Sequence, residues 1–248
     1  MKKFELTSEF ITNVFGRKLF RIKALVEFGN VKAGELGGYI EKEKNLDQDG
    51  NAWVYGDAEV CGNAQVYGDA WVCGNAWVCG NARVYGDAEV CGNARVCGNA
   101  RVCGNARVCG DAEVCGNARV CGDAEVCGNA QVYGDAEVCG NAQVYGDAWV
   151  CGNAWVCGNA QVYGDAEVCG NARVCGNADY AYAHGFGSEY RTTTFFGLKD
   201  GDVGVRCGCF YGTIQEFRNK VRATHKETKK AKEYLMLADL MELRFSKD

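Results

Sequence analysis

Cysteine is the residue whose number and spacing in this sequence could do the most chemistry. The chain has 248 residues and 17 cysteines, and fifteen of these recur at multiples of six residues between Cys61 and Cys175. Thiolates bind soft metal ions such as Zn²⁺ or Cu(I), so a regular stack of cysteines could bind metal. A straight column offers only two sulfurs per ion, unless columns from two molecules face each other. Alternatively, cysteine, which exchanges here with Tyr67 or Tyr145, is a polarizable residue that stacks well on a strand.

Two further cysteines lie outside this series. Cys207 and Cys209 alternate onto one face of a predicted strand, where they could join His225 as nucleophile and base, or as three zinc ligands. No fourth ligand or orienting carboxylate can be assigned from the sequence. A C-x-C pair is also typical of an ordinary packed strand face, so both interpretations stay open.

A glycine-rich loop beside an arginine and three threonines forms a candidate anion site. A helix predicted to begin near Thr213 would add backbone amides, which together with arginine and hydroxyl groups suit a phosphate or a nucleotide. The candidate ligand-binding residues are Gly185, Gly187, Ser188, Arg191, Thr192, Thr194, Thr213 and His225. A turn followed by an ordinary threonine-rich strand would give the same pattern.

A six-residue repeat must position the regular cysteines. From Gly50 to Cys175 the chain reads G-[N/D]-A-x-V-[C/Y] in 21 consecutive hexads without an insertion. Alternation places Ala and Val on one side and the variable residue and Cys or Tyr on the other, as a β-strand requires. Glycine followed by Asn or Asp, residue types that tolerate left-handed backbone, then turns a corner. The repeat therefore predicts a β-solenoid.

These hexads resemble the hexapeptide-repeat left-handed β-helix, in which an aliphatic residue at every sixth position fills a triangular core. Val54, Val60 and Val66 match the aliphatic positions, and Ala58 and Ala64 match the small ones. The resemblance implies a mainly β fold, a triangular, left-handed solenoid with three hexads per coil. The hexads of residues 50–181 then give seven coils, and at about 4.8 Å per coil the rod is roughly 34 Å long.

Three hexads per coil determine which residues stack. The outward cysteines fall into three columns, and the charged residues fall into mixed ladders. The columns are Cys73, Cys91, Cys109 and Cys127; Cys61, Cys79, Cys97 and Cys115; and Cys103, Cys121, Cys139, Cys157 and Cys175. Stacked strands are expected to hold Cβ atoms farther apart than the roughly 3.8 Å of a disulfide. Because the sequence also shows no secretory leader, we expect reduced thiols.

The flanking segments predict covers for the two open ends, which need protection against edge pairing. Residues 1–49 predict a hairpin, from residues 4–6 and 19–25, and then a lead-in that starts the core. The apolar residues of this lead-in are Leu36, Ile40 and Leu46.

Residues 182–248 predict a small β-β-α-α module of the α+β class. Its predicted elements are strands at 191–197 and 202–210, a helix that opens with a capping box at Thr213 and Glu216, and a second helix from about Lys229 to Phe245. The strings GFGSEYRTTTFF and RCGCFYGTIQEF resemble a module of uncharacterised phage and prophage proteins. The lead-in GELGGYIEKEKNL before the hexads resembles proteins of the same kind. This resemblance implies no particular activity.

Composition and charge exclude several function classes. Residues 50–181 contain no histidine, which the hexapeptide acyltransferases and related carbonic anhydrases require as base or metal ligand, and no Thr or Ser for an ice-binding ladder. The net charges of residues 1–49, 50–181 and 182–248 are +1, −9 and +3. Even the −9 of the predicted rod falls well short of the roughly 20 negative charges on duplex DNA as long as the rod. We therefore expect no nucleic-acid partner. No apolar stretch of about 18 residues occurs, so we expect a cytoplasmic protein without a membrane partner.

The tryptophans offer a candidate surface for assembly. They are Trp53, Trp71, Trp77, Trp149 and Trp155. Residues 65–100 and 143–178 differ at one position only, but their offset of 13 hexads is not a multiple of three. The second tryptophan pair is therefore rotated by one face relative to the first, which argues against a function that needs one flat face.

Together these patterns favour a non-enzymatic structural or interaction protein. The rod would act as a spacer or self-assembling scaffold that presents the C-terminal module, would associate with itself or a protein partner, and would hold no cofactor. The alternative is a phage-type protein that sequesters a ligand or nucleotide through the C-terminal module. A weaker alternative is a thiolate rod that binds a soft metal ion.

Overall fold

The hexads form a rod of short parallel strands in a computed structural model that describes residues 2–246. Each hexad contributes one short strand, and strands of successive coils, three hexads apart along the chain, pair in parallel and in register. Three hexads therefore make one coil, as predicted. Residue 1 and residues 247–248, the outermost ends of the predicted first and third segments, lie outside the described residues.

The 21 short strands, β4 to β24, form three faces of the rod. Face 1 consists of β4 Trp53–Val54, β7 Trp71–Val72, β10 Glu89–Val90, β13 Arg107–Val108, β16 Glu125–Val126, β19 Gln143–Val144 and β22 Gln161–Val162. Face 2 consists of β5 Glu59–Val60, β8 Trp77–Val78, β11 Arg95–Val96, β14 Glu113–Val114, β17 Gln131–Val132, β20 Trp149–Val150 and β23 Glu167–Val168. Face 3 consists of β6 Gln65–Val66, β9 Arg83–Val84, β12 Arg101–Val102, β15 Arg119–Val120, β18 Glu137–Val138, β21 Trp155–Val156 and β24 Arg173–Val174.

The inside of the rod contains only small aliphatic side chains. Every repeat Ala and Val from Ala52 to Val174 is at most 1% exposed, as the alternation predicted. The chain turns each corner at glycine, with φ between +61° and +75° throughout the hexads. The following Asn side chains stack from coil to coil, as where Asn81 Nδ2 donates to Asn99 Oδ1 at 3.0 Å. The fixed corner chemistry therefore keeps successive coils in register.

The N-terminal segment forms a sheet that continues face 2. Strands β1 (Phe4–Thr12) and β2 (Lys18–Ala24) form the predicted hairpin, and β2 pairs with β3 (Leu36–Ile40). Strand β3 then pairs in parallel with β5, and a 3₁₀ turn, Glu43–Asn45, follows it.

The lead-in adds nearly one coil, so the solenoid has about eight coils where the hexads alone predicted seven. Leu46 forms a parallel bridge with Val66 on face 3. Ile40 and Leu46 are buried in the core as predicted. Leu36, predicted to join them, is instead 49% exposed, because the core-facing positions of its strand begin after it.

The C-terminal module contains a four-stranded antiparallel sheet and two helices. Its elements are β25 Tyr180–Ala183, β26 Thr193–Gly197, β27 Val203–Cys207, β28 Phe210–Thr213, α1 Ile214–His225 and α2 Lys229–Phe245. Both predicted helices are present, with the capping box at Thr213. The predicted strand 202–210 is wrong, because the chain reverses at Gly208, where φ is +57°, and splits it into β27 and β28. Strand β25 begins before the predicted start of the module.

Within the part of the chain that the structure describes, neither helix has the length and apolar character that a membrane crossing requires.

Candidate functional site

A cavity in the C-terminal module brings together residues that the sequence indicated separately. It has a volume of about 150 Å³ and lies between the β27–β28 turn and the two helices. Its lining includes the predicted residues Ser188, Arg191, Cys207, Cys209 and His225. Lys220 and Thr224 of α1, which the sequence did not indicate, also line it, because the helical spacing places them beside Val221 on one side of α1.

The cavity is basic in character. Arg191 contributes a guanidinium, Lys220 an ammonium and His225 an imidazole, and none of the described lining residues is acidic. By contrast, a groove of about 510 Å³ beside the 3₁₀ turn is lined by both acidic and basic side chains. The charge of the module cavity therefore suits a small anion.

Tyr234 of α2 fixes the loop that closes the cavity. Its hydroxyl accepts the backbone N–H of Ser188 at 3.0 Å and donates to the Ser188 carbonyl at 3.2 Å. Gly187, at φ +74°, lies so close to the Tyr234 ring that a side chain at this position would overlap it. Burial raises the pKa of Tyr234, which keeps the hydroxyl protonated. The glycine at 187 is thus required for loop packing.

The other predicted anion-binding residues do not face this cavity. The Thr213 hydroxyl accepts the Glu216 N–H, and the Glu216 carboxylate accepts the Thr213 N–H, so a protein carboxylate already occupies the start of α1. The helix start is therefore not the anion site that the sequence predicted.

The predicted threonines have structural partners. Thr192 Oγ1 lies 2.9 Å from His184 Nδ1, and the buried Thr194 accepts the Glu167 N–H at 3.0 Å. Gly185 has φ +86°, and in the described chain no neighbouring atom lies within 4 Å of a Cβ position there, so its role is to turn the loop. These residues position the loop and the module and do not line the cavity.

The predicted pairing of Cys207 and Cys209 on one strand face is wrong. Cys207 ends β27, and Cys209 lies exposed in the turn after Gly208. Thr193 Oγ1 donates to the Cys207 sulfur at 3.2 Å. Among residues 2–246, the clusters of three or more ligand-type side chains do not include these two cysteines with His225.

The rod carries the three predicted thiol columns. Backbone pairing between successive coils places the cysteines of each column next to one another, as where the Cys73 N–H donates to the Val90 carbonyl at 2.9 Å. Burial between neighbouring strands raises the pKa of Cys73 and Cys109 to about 11 and that of Cys121 to about 12. These thiols are neutral at pH 7.

One column contains thiols with lowered pKa. Hydrogen bonding with the Cys79 thiol lowers the pKa of Cys61 and Cys97 to about 7, and the same interaction raises the pKa of Cys79. The hairpin tip covers this end of the column, because Asn13 Nδ2 lies 3.9 Å from the sulfur of Cys61. Cys61 and Cys97 therefore ionise more readily than Cys79, which lies between them in the column.

The expectation that all cysteines are reduced is wrong at the C-terminal end of the rod. Cys151 pairs with Cys169, and Cys157 with Cys175, as disulfides between adjacent coils. Their Cα atoms lie 4.6 and 4.4 Å apart. Stacked strands therefore bring cysteines within the range that disulfides tolerate, which the sequence argument had excluded.

Four triads of two cysteines and one glutamate occur along the rod, each with its three ligand atoms within 4.8 Å of one another. They are Cys73, Glu89 and Cys91; Cys97, Glu113 and Cys115; Cys109, Glu125 and Cys127; and Cys121, Glu137 and Cys139. The glutamates were not among the predicted ligands. The signal was present, because each of these glutamates shares a hexad with the second cysteine of a stacked pair and stands on the same outward side.

The predicted aromatic surface is only partly exposed. Trp53 is fully buried, so its assignment to an assembly surface is wrong: Phe4 and Phe28 pack on it, with ring centroids 6.2 and 5.3 Å away. Phe15 stacks on Trp77 at 5.0 Å and covers part of it. The remaining three are 37–38% exposed and lie on three different faces. They are Trp71, Trp149 and Trp155.

Five segments of the rod match a known repeat model. The model is the YdcK beta solenoid repeat, and the matching residues are 64–80, 76–92, 94–110, 100–116 and 142–158. Each segment is close to one coil in length. No curated protein matches the chain. The similarity agrees with the β-solenoid architecture and extends to neither the N-terminal hairpin nor the C-terminal module.

Proposed function

We propose that this β-solenoid protein is a structural rod that holds its C-terminal module at a fixed distance from its N-terminal end. The observation that carries the proposal is that two different, non-repeating segments cover the two ends of the rod. A solenoid with open ends would add further strands or further molecules at its edges. Covered ends limit the rod to one length, which is the property a spacer needs.

The N-terminal cover satisfies the polar groups of the first coil. The Lys3 ammonium donates to the carbonyls of Asp49, Gly50 and Ala52 at 3.0 to 3.3 Å. Phe4 and Phe28 close the apolar interior over Trp53. Both the backbone acceptors and the core of this end are thereby removed from solvent.

The C-terminal cover is joined to the last coil by both polar and apolar contacts. Arg206 Nε donates to the Glu167 carboxylate at 2.6 Å, and the Glu167 N–H donates to Thr194. Phe196 and Tyr180 extend the core of the rod into the module. Phe195, the neighbour of Phe196 on β26, faces the opposite side and packs among the helices. One strand therefore connects the two cores.

Covered ends also bear on self-association. End-to-end stacking would require a cover to leave, so association between copies would have to be lateral. The exposed tryptophans lie on three different faces, and two of them have an aromatic neighbour from the preceding coil, as in the Tyr133–Trp149 pair at 6.0 Å. This arrangement favours a discrete particle with protein partners at the module over a laterally grown array.

Light scattering on the full chain and on a truncated chain tests the covering role. The full protein should give one mass that does not change with concentration. A chain ending at Cys175 lacks the C-terminal cover and should form larger species that grow with concentration. If the truncated chain keeps the association state of the full protein, the module is not an end cover and the proposal fails.

A second function, binding of a small anion by the module, is favoured by the basic cavity. Arg191, Lys220 and His225 converge on about 150 Å³, which is enough for a phosphate group. Titration calorimetry with inorganic phosphate and nucleotides should give binding that Arg191→Ala abolishes. The exposed Lys199→Ala serves as the control. Affinity that survives Arg191→Ala would contradict this function.

A further inference from the structure

The four cysteine–glutamate–cysteine triads are a third type of side-chain cluster, separate from the ends of the rod and from the module cavity. In each triad, glutamate and the second cysteine belong to one hexad and both point outward. The first cysteine holds the same position on the preceding coil. The ligand atoms of each triad lie within 4.8 Å of one another. The two triads of face 1 are separated by one pair of stacked cysteines that has no glutamate beside it. Triads therefore occur at every second pair along this column.

The side chains of each triad need to move only a short distance to hold a metal ion. A tetrahedral site with zinc–sulfur distances of about 2.3 Å has ligand atoms about 3.8 Å apart. Outward side chains on a rigid backbone can close the remaining distance by rotamer changes. The glutamate supplies the third ligand that a straight column of thiols lacks, and solvent can supply the fourth.

We infer that each triad binds one borderline or soft divalent cation, such as Zn²⁺ or Cd²⁺, through two thiolates and one carboxylate. Water completes the coordination, and the two thiol protons pass to solvent. Mixed sulfur and carboxylate ligands select such ions over Mg²⁺ or Ca²⁺. This inference is independent of the spacer function, which needs no metal.

Other pairs of stacked cysteines on the rod have no glutamate beside them, and they can be compared with the triads. Arg107 stands between Cys91 and Cys109, and Arg119 stands between Cys103 and Cys121 at the position that glutamate holds in a triad. A guanidinium there repels a cation. Binding is therefore limited to alternate positions along a column and does not extend over every thiol.

The four triads are not equivalent. Arg107 Nε donates to Glu89 at 3.1 Å, so a cation at the first triad must displace an ion pair. Glu137 accepts the thiol of Cys121, at 3.8 Å, which is a contact within its own triad. A fifth group with the same spacing, Cys151, Glu167 and Cys169, is closed, because its cysteines form a disulfide and Arg206 holds its glutamate.

Co²⁺ is the probe that reports thiolate ligands directly, through strong sulfur-to-cobalt absorption. The full chain is stripped of metal without oxygen or reductant, which leaves its two disulfides intact and its thirteen other cysteines as thiols. Titration should give sulfur-to-cobalt absorption that saturates near four Co²⁺ per chain. Addition of Zn²⁺ should remove this absorption.

Matched variants locate the sites. Glu113→Gln should weaken one of the four sites by at least about 10-fold, because losing even a residue that only hydrogen-bonds to a metal ligand costs about 10- to 100-fold in metal affinity. Cys115→Ser should remove that site. Gln occurs at the same repeat position in Gln131, so the first variant should keep its fold.

Control variants change the same residue types outside the triads. Glu59→Gln and Cys103→Ser should both retain four sites, because Glu59 adjoins a single cysteine and Cys103 faces Arg119. Absence of sulfur-to-cobalt absorption would overturn the inference. Retention of four tight sites in both Glu113→Gln and Cys115→Ser would overturn it as well.

Discussion

The rod and the C-terminal module obtain their order in different ways. In the interior of the rod, Val contacts the same residue type one coil above and one coil below, as Val102 does with Val84 and Val120. In the module, Phe195 and Phe196 are neighbours in sequence but belong to two different cores. Repetition thus gives the rod its stability and geometry, whereas single residues with individual partners determine the module. Variants that affect one region and spare the other can test this difference.

The largest effect is expected from a charge placed inside the rod. Val102→Asp puts an unpaired carboxylate between two valines in a core that is closed to water, and should cost more than about 4 kcal/mol of unfolding free energy. Denaturant unfolding measures this loss. The control Arg101→Gln changes the outward neighbour on the same strand and should alter stability by less than about 0.5 kcal/mol. Similar losses for both would contradict the inward position of Val102.

The second effect distinguishes the two sides of β26. Phe196→Ala removes a ring from the end of the rod core and should cost about 3–5 kcal/mol. Hydrogen exchange should then increase in the last coil, at Val162 and Val168. The matched variant Phe195→Ala should increase exchange in α1 and leave the last coil protected. Identical exchange maps for the two variants would show that the module and the rod share one core.

The third effect compares corner glycines. Gly104 has φ +71°, and a Cβ atom there would lie 3.0 Å from the Gly122 nitrogen of the next coil. Left-handed backbone alone costs a residue with a Cβ about 1–2 kcal/mol. Gly104→Ala should therefore lower the free energy of unfolding by more than this amount. Gly185→Ala, in the open loop of the module, should cost no more than that backbone contribution. Thermal unfolding should show the larger fall in Tm for Gly104→Ala.

The fourth effect is a pH dependence at the N-terminal cover. Burial lowers the pKa of Lys3 from 10.5 to about 8, so between these values the unfolded chain holds more protons than the folded chain. Folding stability contributed by Lys3 should therefore rise with pH from about 8 to 10.5. Measuring wild type against Lys3→Met across this range cancels the ionisation of the cysteines. A difference that stays constant would mean that Lys3 has its ordinary pKa.

The two regions also differ in how far their sequence predicts them. Alternation of period two and glycine at each corner were sufficient to predict the short strands and the inward side chains, because these depend on local chemistry that repeats 21 times. The number of hexads per coil was implied by the resemblance to the hexapeptide-repeat β-helix. Trp53 was misassigned because Phe4 and Phe28, which cover it, are distant in sequence and carry no repeat signal. In the module, the turn at Gly208 was missed because a single glycine between two cysteines also occurs within strands.

The candidate sites show the same contrast. Arg191, Ser188 and His225 were identified by residue type, but only the fold shows that they share one cavity with Lys220. The threonines had the right type and serve other contacts. On the rod, the glutamates of the triads were overlooked because their role depends on a cysteine from the preceding coil. Residue type thus indicates candidates, and non-local packing decides which of them meet.

Small-angle X-ray scattering on a lengthened rod tests the central claim most directly. Duplicating residues 92–145 adds nine hexads, or three coils, and leaves both covers and their contacts unchanged. The maximum dimension should increase by about 14 Å, at about 4.8 Å per coil, while the particle stays at the same association state. An unchanged maximum dimension, or loss of the folded particle, would contradict a rod whose coil number determines the distance between its two ends.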